Sequence, residues 1–227
     1  MTDLAIVTFL WRNPDYTKRH DYEYGVEHVE KLGRSLRKHC TLDFEYVLVT
    51  DYDPSLFKEP DRIVSLWDDN RDMGGCYVRL KAFDKDIGEM LGKRFMWLDL
   101  DIVITDNIDH LLNHEYDFWS WVDVNPPTPY CGSLIGMDAG SRQQVWDKFK
   151  RYDSRAAAKH YIGTDQAWIG HCLGKNEKTF GREDGVYSYK KHVKRLPELP
   201  DNCCMVVFHG NVDPSTEKAK WIGQHWI

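Results

Sequence analysis

An almost continuous apolar run from Phe95 to Ile104 places the strongest constraint on the fold of this chain. It reads FMWLDLDIVI, and such a run is typical of a strand that is buried on both faces of a sheet. Two carboxylates, Asp99 and Asp101, nevertheless interrupt it. Because an ionised carboxylate is costly to bury without compensation, we expect the strand to end near Leu98 and the two aspartates to meet a compensating charge.

Strands alternate with helices over the first 110 residues, which indicates βαβ units and a largely parallel sheet. Further strands are expected at Leu4–Leu10, Phe44–Thr50, Ile63–Leu66, Phe118–Val122 and Leu134–Met137, and in the segment MVVFHG. Helices are expected over 23–39 and 73–91, from Ser141, where Gln144 completes a capping box, and over Thr164–Leu173. We therefore predict an α/β fold in a single domain, with a mixed, mostly parallel central sheet flanked by helices.

Composition excludes some classes of function. The net charge of −6 and the pI of about 5.9 argue against nucleic-acid binding through a general basic surface. No transmembrane helix is expected, because the chain lacks a run of roughly 18 apolar residues, and its first residues do not resemble a signal peptide. The six cysteines are scattered without a C-x-x-C pair, which indicates free thiols in a reducing compartment. We expect a soluble, cytoplasmic protein.

The aspartate pair has the character of a metal site. Ligands of open α/β sheets gather at the carboxyl ends of the strands, and a strand that ends near Leu98 brings Asp99 and Asp101 to that edge. Their side chains then lie on the same side, because a strand repeats every two residues. Two such carboxylates repel unless a cation lies between them, and a hard divalent ion such as Mg²⁺ or Mn²⁺ suits this position.

The D-x-D spacing alone carries little information. It also occurs at Asp51/Asp53, before a proline in a loop, and at Asp84/Asp86, on an expected helix. Only Asp99/Asp101 interrupts an apolar strand. The alternative for this pair is that the strand simply ends and that Asp99 caps a helix over Asn107–Leu112.

Several segments together resemble the glycosyltransferases of the GT-A fold. YVRLKAF and FMWLDLDIVITDNIDHLL are similar to the Y-x-R-L and L-D-x-D segments of the retaining, family-8-like group. Three later segments agree with that group in order, namely YCGSLIGMDAG, TDQAWI and VVFHGNVDPSTEKAKW. The likeness spans most of the chain, and the order of the motifs carries it more than any single motif. It implies a Rossmann-like GT-A sheet, with a nucleotide-binding half over 1–110 and a sugar-binding and acceptor-binding half over 111–227.

The resemblance also implies a set of site residues. Asp99 and Asp101 would hold Mn²⁺ (or Mg²⁺) on the diphosphate of a nucleotide-sugar, with His209 as the third ligand; taken alone, His209 could equally be a core histidine. Asp165, Gln166 and Asp123 would lie near the transferred sugar, although Thr164–Gln166 is also a reasonable helix N-terminus and Asp123 could belong to a solvated loop. The residues implied to bind the donor are Thr8, Phe9, Asp51, Arg79, Leu100, Gly210 and either Lys218 or Lys220.

The resulting hypothesis is metal-dependent transfer of a sugar from a nucleotide-sugar, with UDP as the favoured nucleotide, to a hydroxyl acceptor, and the resemblance favours retention. One alternative is a nucleotidyltransferase, but the Gly-rich basic loop usual after its first strand is missing from TFLWRNPDY. A second is a non-catalytic carbohydrate-binding module that stacks sugars on tryptophans such as Trp119, Trp121, Trp221 and Trp226. Such a module does not need an acidic pair on a central strand together with a distant histidine.

Overall fold

A computed structural model describes residues 3–12, 24–67 and 75–227 of the chain, without the side chains of 151–152. The strands are β1 (Leu4–Leu10), β2 (Glu45–Thr50), β3 (Arg62–Ser65), β4 (Arg94–Leu98), β5 (Ile102–Ile104), β6 (Phe118–Val122), β7 (Tyr130–Asp138), β8 (Lys178–Phe180), β9 (Val186–Ser188) and β10 (Met205–Val207). The α-helices are α1 (Val26–His39), α2 (Lys85–Leu91), α3 (Asp109–Leu112), α4 (Gln144–Asp147), α5 (Arg151–Ala157), α6 (Asp165–Leu173) and α7 (Lys220–His225).

The larger sheet has the strand order β3-β2-β1-β4-β7-β6-β8 among the described residues. The neighbours β3, β2, β1 and β4 are all parallel, whereas β7 is antiparallel to both β4 and β6, and β8 is parallel to β6. This is the mixed, mostly parallel sheet that the sequence predicts. Helix α1 also follows its pattern, since Val29, Leu32 and Leu36 are buried on one face and basic residues occupy its last turn.

The apolar run from Phe95 to Ile104 forms two strands, and the first ends at Leu98 as the sequence predicts. Strand β4 belongs to the larger sheet and ends at Leu98, whereas β5 pairs antiparallel with β10 in a separate sheet with the order β5-β10-β9. Asp99–Asp101 is the crossover between the two sheets. It is anchored on one side by the bond from Asp99 N to Ser133 O (2.9 Å), and on the other by the bond from Phe208 N to Asp101 O (2.9 Å). Phe95–Leu98 is therefore buried in the larger sheet and Ile102–Ile104 in the smaller one, and the two aspartates lie in the crossover between them.

Two predicted helices differ from the structure. Residues Gly75–Phe83 form a 3₁₀ helix, and α2 starts only after Asp84, whose carboxylate caps it by accepting from the backbone N–H groups of Asp86 and Ile87. The predicted capping box at Ser141 is also wrong. The Ser141 hydroxyl donates to Asp117 O at 2.8 Å, and α4 begins three residues later. Asp99 does not cap a helix at 107–112, because the short helix there, α3, starts at Asp109.

The tryptophans proposed for sugar stacking are largely core residues. Trp119 and Trp121 are fully buried in β6, and Trp221 is buried against the second sheet. Trp119 packs directly on the backbone of β7, where a Cβ added to Gly136 would lie 2.1 Å from its ring. The six cysteines are free thiols, as predicted. Among the helices of the described residues, none has the length and apolar character needed to cross a bilayer.

Candidate functional site

A cavity of about 300 Å³ opens at the edge of the larger sheet where the parallel strands β1 and β4 end. This is the edge at which open α/β sheets bind ligands. The predicted site residues that line it are Phe9, Arg79, Asp99, Leu100, Asp101, Asp165, Gln166, His209 and Gly210. Residues remote in sequence therefore meet in one place, although the sequence order of the motifs alone does not give their geometry.

Arg79 forms the charged centre of the cavity. Its guanidinium is nearly fully buried, and it pairs through Nη1 with Asp99 Oδ1 and through Nη2 with Asp165 Oδ2 (2.5 Å). Burial opposes the charge of Arg79, but the two carboxylates outweigh it and hold the pKa of the guanidinium well above its ordinary value. Such a fork provides geometric specificity as well as charge compensation. The 3₁₀ helix Gly75–Phe83 thus delivers Arg79 between the crossover and the start of α6.

The backbone of β7 forms a wall against this ion-pair triad. A Cβ added to Gly132 would lie 3.2 Å from the Asp165 carboxylate and 3.3 Å from Arg79 Nη2. The side chain of Asp165 is held by Arg79, and α6 begins at that residue. Asp165 is the first residue of α6, as the alternative expects, but its side chain also pairs with the buried Arg79.

Asp101 has the most unusual environment in the cavity. Only 4% of the residue is exposed; Oδ2 accepts a hydrogen bond from the Tyr24 hydroxyl at 2.8 Å, whereas Oδ1 is buried without a hydrogen-bond partner. Burial, followed by the charge of Asp99, raises the pKa of the Asp101 carboxyl well above its usual value. An orphaned, buried carboxylate oxygen in a cavity is the feature that a bound cation would satisfy.

His209 follows β10 and lines the cavity as a neutral imidazole. Burial, with help from Lys190 and Lys191, lowers its pKa to about 4. Its Nε2 atom shares a hydrogen bond with the Ser188 hydroxyl at 2.7 Å. A neutral imidazole with two carboxylates is a donor set that suits Mn²⁺.

The three implied metal ligands are not assembled around one point. In the described ranges, no group of three His, Cys, Asp or Glu side chains is arranged so that it could hold a metal ion. Asp99 is engaged by Arg79, and His209 by Ser188. The orphaned Asp101 oxygen and the donor chemistry fit a divalent cation, so metal binding stays a prediction that centres on Asp101.

Asp123 lies behind the cavity and acts on it through Gln166. Its Oδ2 atom accepts from Gln166 Nε2 at 2.7 Å, and Oδ1 accepts from Asn125 N at 2.7 Å. Burial raises the pKa of the Asp123 carboxyl to about 6. Gln166 in turn accepts from the backbone N–H of Gly132 through Oε1 at 3.3 Å. Asp123 therefore orients the Gln166 side chain rather than lining the cavity itself.

Four other predicted residues do not line the cavity. Thr8 is fully buried and its hydroxyl donates to Leu98 O at 2.9 Å, which is the role of a strand-end hydroxyl that joins β1 to β4. Asp51 accepts from the backbone N–H of Arg12 at 3.1 Å, next to Tyr52, which does line the cavity. Lys218 and Lys220 are exposed. Their assigned contacts with the donor remain predictions.

The structure adds residues that the sequence did not single out. Tyr24 lines the cavity and contacts Asp101, and Ser133 and Thr164 also line it. Lys190 lies at the rim, where a Cβ added to Gly210 would be 3.0 Å from its Nζ atom; that ammonium donates to Asn211 Oδ1 at 2.9 Å. The basic segment YKKHVKR was the available signal for Lys190, but nothing in the sequence connected it with a histidine about twenty residues later.

Comparison with known proteins identifies the fold. No protein-family profile and no curated protein matches the sequence. Solved structures do match: the glycosyltransferase GlyE of Streptococcus pneumoniae TIGR4, with a TM-score of 0.63 and 10% identity over 98% of this chain, and its apo form, with a TM-score of 0.65. This chain spans 59% of the length of those GlyE chains.

A third match is the galactosyltransferase LgtC in complex with donor and acceptor sugar analogues. Its TM-score is 0.62 at 10% identity, and the match covers 97% of this chain and 93% of that one. Identity at this level shows the fold and not the substrate. The predicted fold class is confirmed: the chain has the GT-A glycosyltransferase fold.

Proposed function

We propose that this chain is a glycosyltransferase that transfers a sugar from a nucleotide-sugar to an acceptor hydroxyl. The observation that carries the proposal is the orphaned, buried carboxylate of Asp101 beside the Arg79–Asp99–Asp165 triad, in a cavity at the ligand-binding edge of a GT-A sheet. The structural neighbours GlyE and LgtC are both glycosyltransferases, which supports it.

The distribution of aromatic and charged residues along the cavity supports one orientation of the bound donor. Three aromatic groups that suit the stacking of a nucleoside base line the cavity near the ends of β1 and β2: Phe9 within β1, Trp11 after β1, and Tyr52 after β2. The residues that follow β4, with β7 and α6, contribute the charged and polar groups. We therefore place the nucleoside of a donor such as a UDP-sugar beside β1 and β2, and the sugar beside Gln166.

The diphosphate then lies between these two ends, where we assign a divalent cation to Asp101, with Asp99 and His209 as further ligands. When bound, such an ion would neutralise the negative charge that develops on the leaving phosphate. The chain itself contributes the buried Arg79, which Asp99 and Asp165 hold in place, and Lys190 at the rim. The Gln166 amide nitrogen already donates to Asp123 and to Ile162 O, so Gln166 is placed to accept a hydrogen bond from a sugar hydroxyl through Oε1.

The engaged state of the carboxylates favours retention of configuration. An inverting transfer needs a carboxylate that is free to act as a base at the acceptor hydroxyl. Among the described residues that line the cavity, the carboxylates Asp99 and Asp165 are ion-paired with Arg79; Asp101 accepts from Tyr24 through Oδ2, and its unpartnered Oδ1 is the atom that we assign to the cation. None of the three is positioned as a free base.

The two alternatives have less support. A carbohydrate-binding module would need exposed tryptophans, but Trp119 and Trp121 are fully buried. A nucleotidyltransferase would need a Gly-rich basic loop after the first strand; that part of the sequence is TFLWRNPDY, and its residues from 13 onward lie outside the described ranges.

The direct test combines binding with product analysis. A thermal-shift panel of nucleoside diphosphates and nucleotide-sugars, with and without Mn²⁺, should identify a nucleotide that raises the melting temperature by mass action. Incubation with the matching nucleotide-sugar should release nucleoside diphosphate and not pyrophosphate. Release of pyrophosphate would favour a nucleotidyltransferase. Stabilisation by glycans alone, without any nucleotide effect, would favour a binding module.

Lys190 provides a sharper prediction at the diphosphate end. Lys190→Ala is expected to weaken nucleoside diphosphate binding about tenfold, because a hydrogen bond to a charged group contributes about 1.5 kcal/mol or more. The difference from the wild type should shrink at high salt, since Lys190 is exposed. Calorimetry with Lys218→Ala and Lys220→Ala in parallel measures the competing assignments. If either of those variants loses affinity and Lys190→Ala does not, the sequence-based assignment stands instead.

A further inference from the structure

We infer that Tyr24, supported by the buried His28–Asp213 pair, is a positioning residue that fixes the Asp101 carboxylate for its ligand. This inference rests on the proposed function, because it concerns the cation and diphosphate assigned to Asp101. It adds Tyr24 and His28, which lie outside the motifs named above, and it gives a role to Asp213, a buried carboxylate within the last motif that the proposed transfer does not otherwise use.

The first step is the contact between Tyr24 and Asp101. The Tyr24 hydroxyl donates to Oδ2 at 2.8 Å, and this bond leaves Oδ1 as the orphaned oxygen. A carboxylate held through one oxygen cannot rotate freely about its last bond, so the free oxygen keeps one direction. Tyr24 also lines the cavity, so its hydroxyl lies at the site itself. Groups that hold a metal ligand in this way commonly set its affinity.

The second step is the support of Tyr24 by His28. The two rings meet edge to face, with centroids 5.3 Å apart, and His28 is nearly fully buried in the first turn of α1. His28 Nδ1 accepts from the backbone N–H of Gly25 at 3.3 Å, so the ring proton is on Nε2. Nε2 then donates to Asp213 Oδ1 at 3.3 Å. These two bonds fix the orientation of the ring against which Tyr24 packs.

Asp213 anchors the far end of this network. It is fully buried; its Oδ1 also accepts from the backbone N–H of Ser215 at 2.8 Å and from the Ser215 hydroxyl, while its Oδ2 has no partner. Burying a carboxylate this completely lowers the stability of the fold, which points to a role for Asp213 other than stabilisation. It lies four residues after His209, so it connects the start of α1 with the segment that carries the histidine of the cavity.

The C-terminal residues close the network from the other side. The Trp226 ring packs edge-on against His28 with centroids 5.5 Å apart, and the Lys31 ammonium lies 3.8 Å from the centroid of Trp226. Lys31 also donates to Trp226 O at 3.2 Å. His28 is therefore confined between Tyr24 and Trp226, and a change at Asp213 would be transmitted to Tyr24 through a ring with little freedom to move.

Tyr24→Phe is the most selective test, because it removes one hydroxyl and keeps the ring against His28. The apparent dissociation constant for Mn²⁺, measured by calorimetry in the presence of nucleoside diphosphate, should rise about tenfold or more. Binding of the nucleotide without metal should not change, and saturating Mn²⁺ should restore kcat. Tyr187→Phe is the matched control, since it also removes a tyrosine hydroxyl bond, to Asn202 Oδ1 at 2.7 Å, outside the cavity. That control should bind Mn²⁺ as the wild type does.

Asp213→Asn tests the support of Tyr24 separately. It should raise the Mn²⁺ constant in the same direction, and it should add little in a Tyr24→Phe background, because both changes act through one contact. An unchanged Mn²⁺ constant in Tyr24→Phe would overturn the inference and leave the proposed function in place, as would equal losses of metal-free and metal-dependent binding. A wild type that binds no nucleotide in either condition would instead overturn the proposed function.

Discussion

Asp101→Asn is expected to abolish metal-dependent nucleotide binding while leaving the fold intact. Asparagine keeps the shape of the side chain and its bond to Tyr24, but it removes the charge of the orphaned oxygen. We expect a loss of about 100-fold or more in nucleoside diphosphate affinity with Mn²⁺, corresponding to about 2.8 kcal/mol, as measured by calorimetry. Asp86→Asn is the matched control, because Asp86 belongs to another D-x-D triplet but is exposed in the first turn of α2. Equal affinity with and without metal in the wild type would contradict this prediction.

The same variant has a stability signature with a defined sign. Because burial raises the pKa of Asp101 in the folded state, the wild type without metal loses stability as the pH rises and this carboxyl ionises. Asparagine does not ionise, so the stability of Asp101→Asn relative to the wild type should increase with pH. Urea denaturation at several pH values in the presence of a chelator measures this difference. A variant that is less stable than the wild type at every pH would show that Asp101 is needed for folding.

Arg79→Met is expected to produce the largest loss of stability at this site. Removal of one partner of a buried ion pair leaves uncompensated charge behind, which typically costs about 3–5 kcal/mol. Here it leaves both Asp99 and Asp165 without their partner, and the Asp165 side chain is only 3% exposed. Urea denaturation should show a lower midpoint with an unchanged slope. Donor binding should be lost as well, since the guanidinium lines the cavity.

Two further variants test whether the loss of stability comes from the stranded buried charges. Arg37→Met removes an arginine that pairs with Glu59 and Asp61 at the surface, and its cost should stay within about 1 kcal/mol. Asp165→Asn introduced into Arg79→Met should recover part of the lost stability, because it removes one of the two stranded charges. No recovery would mean that the Arg79 side chain stabilises the protein through packing alone.

The fold was predictable where a local pattern determines the structure. Strand β1 and helix α6 agree with their sequence signals to within a residue, because a continuous apolar run and a glycine at the helix end act locally. The run around Asp99 was harder. The pattern of apolar and charged residues shows where the two aspartates interrupt the run, but it does not show which sheet each half joins. That depends on β10, a strand about a hundred residues later that pairs with β5.

The site was predictable only as far as the order of the motifs reaches. Asp99, Asp101, Arg79 and His209 do meet in one cavity. Lys190 and Tyr24 could not be found in this way, because their contacts with Gly210 and Asp101 depend on long-range packing of irregular segments. The capping box at Ser141 failed for a related reason: a tertiary bond to Asp117 O engages the hydroxyl that a cap would need.

The crossover at Asp99–Asp101 also has a mechanical consequence. Asp99 is anchored to the larger sheet through β7, and Asp101 is anchored to the smaller sheet through the residue after β10. Any ligand that bridges the two carboxylates therefore acts as a cross-link between the sheets, although neither sheet needs to touch that ligand. Such a ligand would join the end of β4 to the start of β5 across a crossover of three residues, in addition to the two backbone hydrogen bonds that already anchor it.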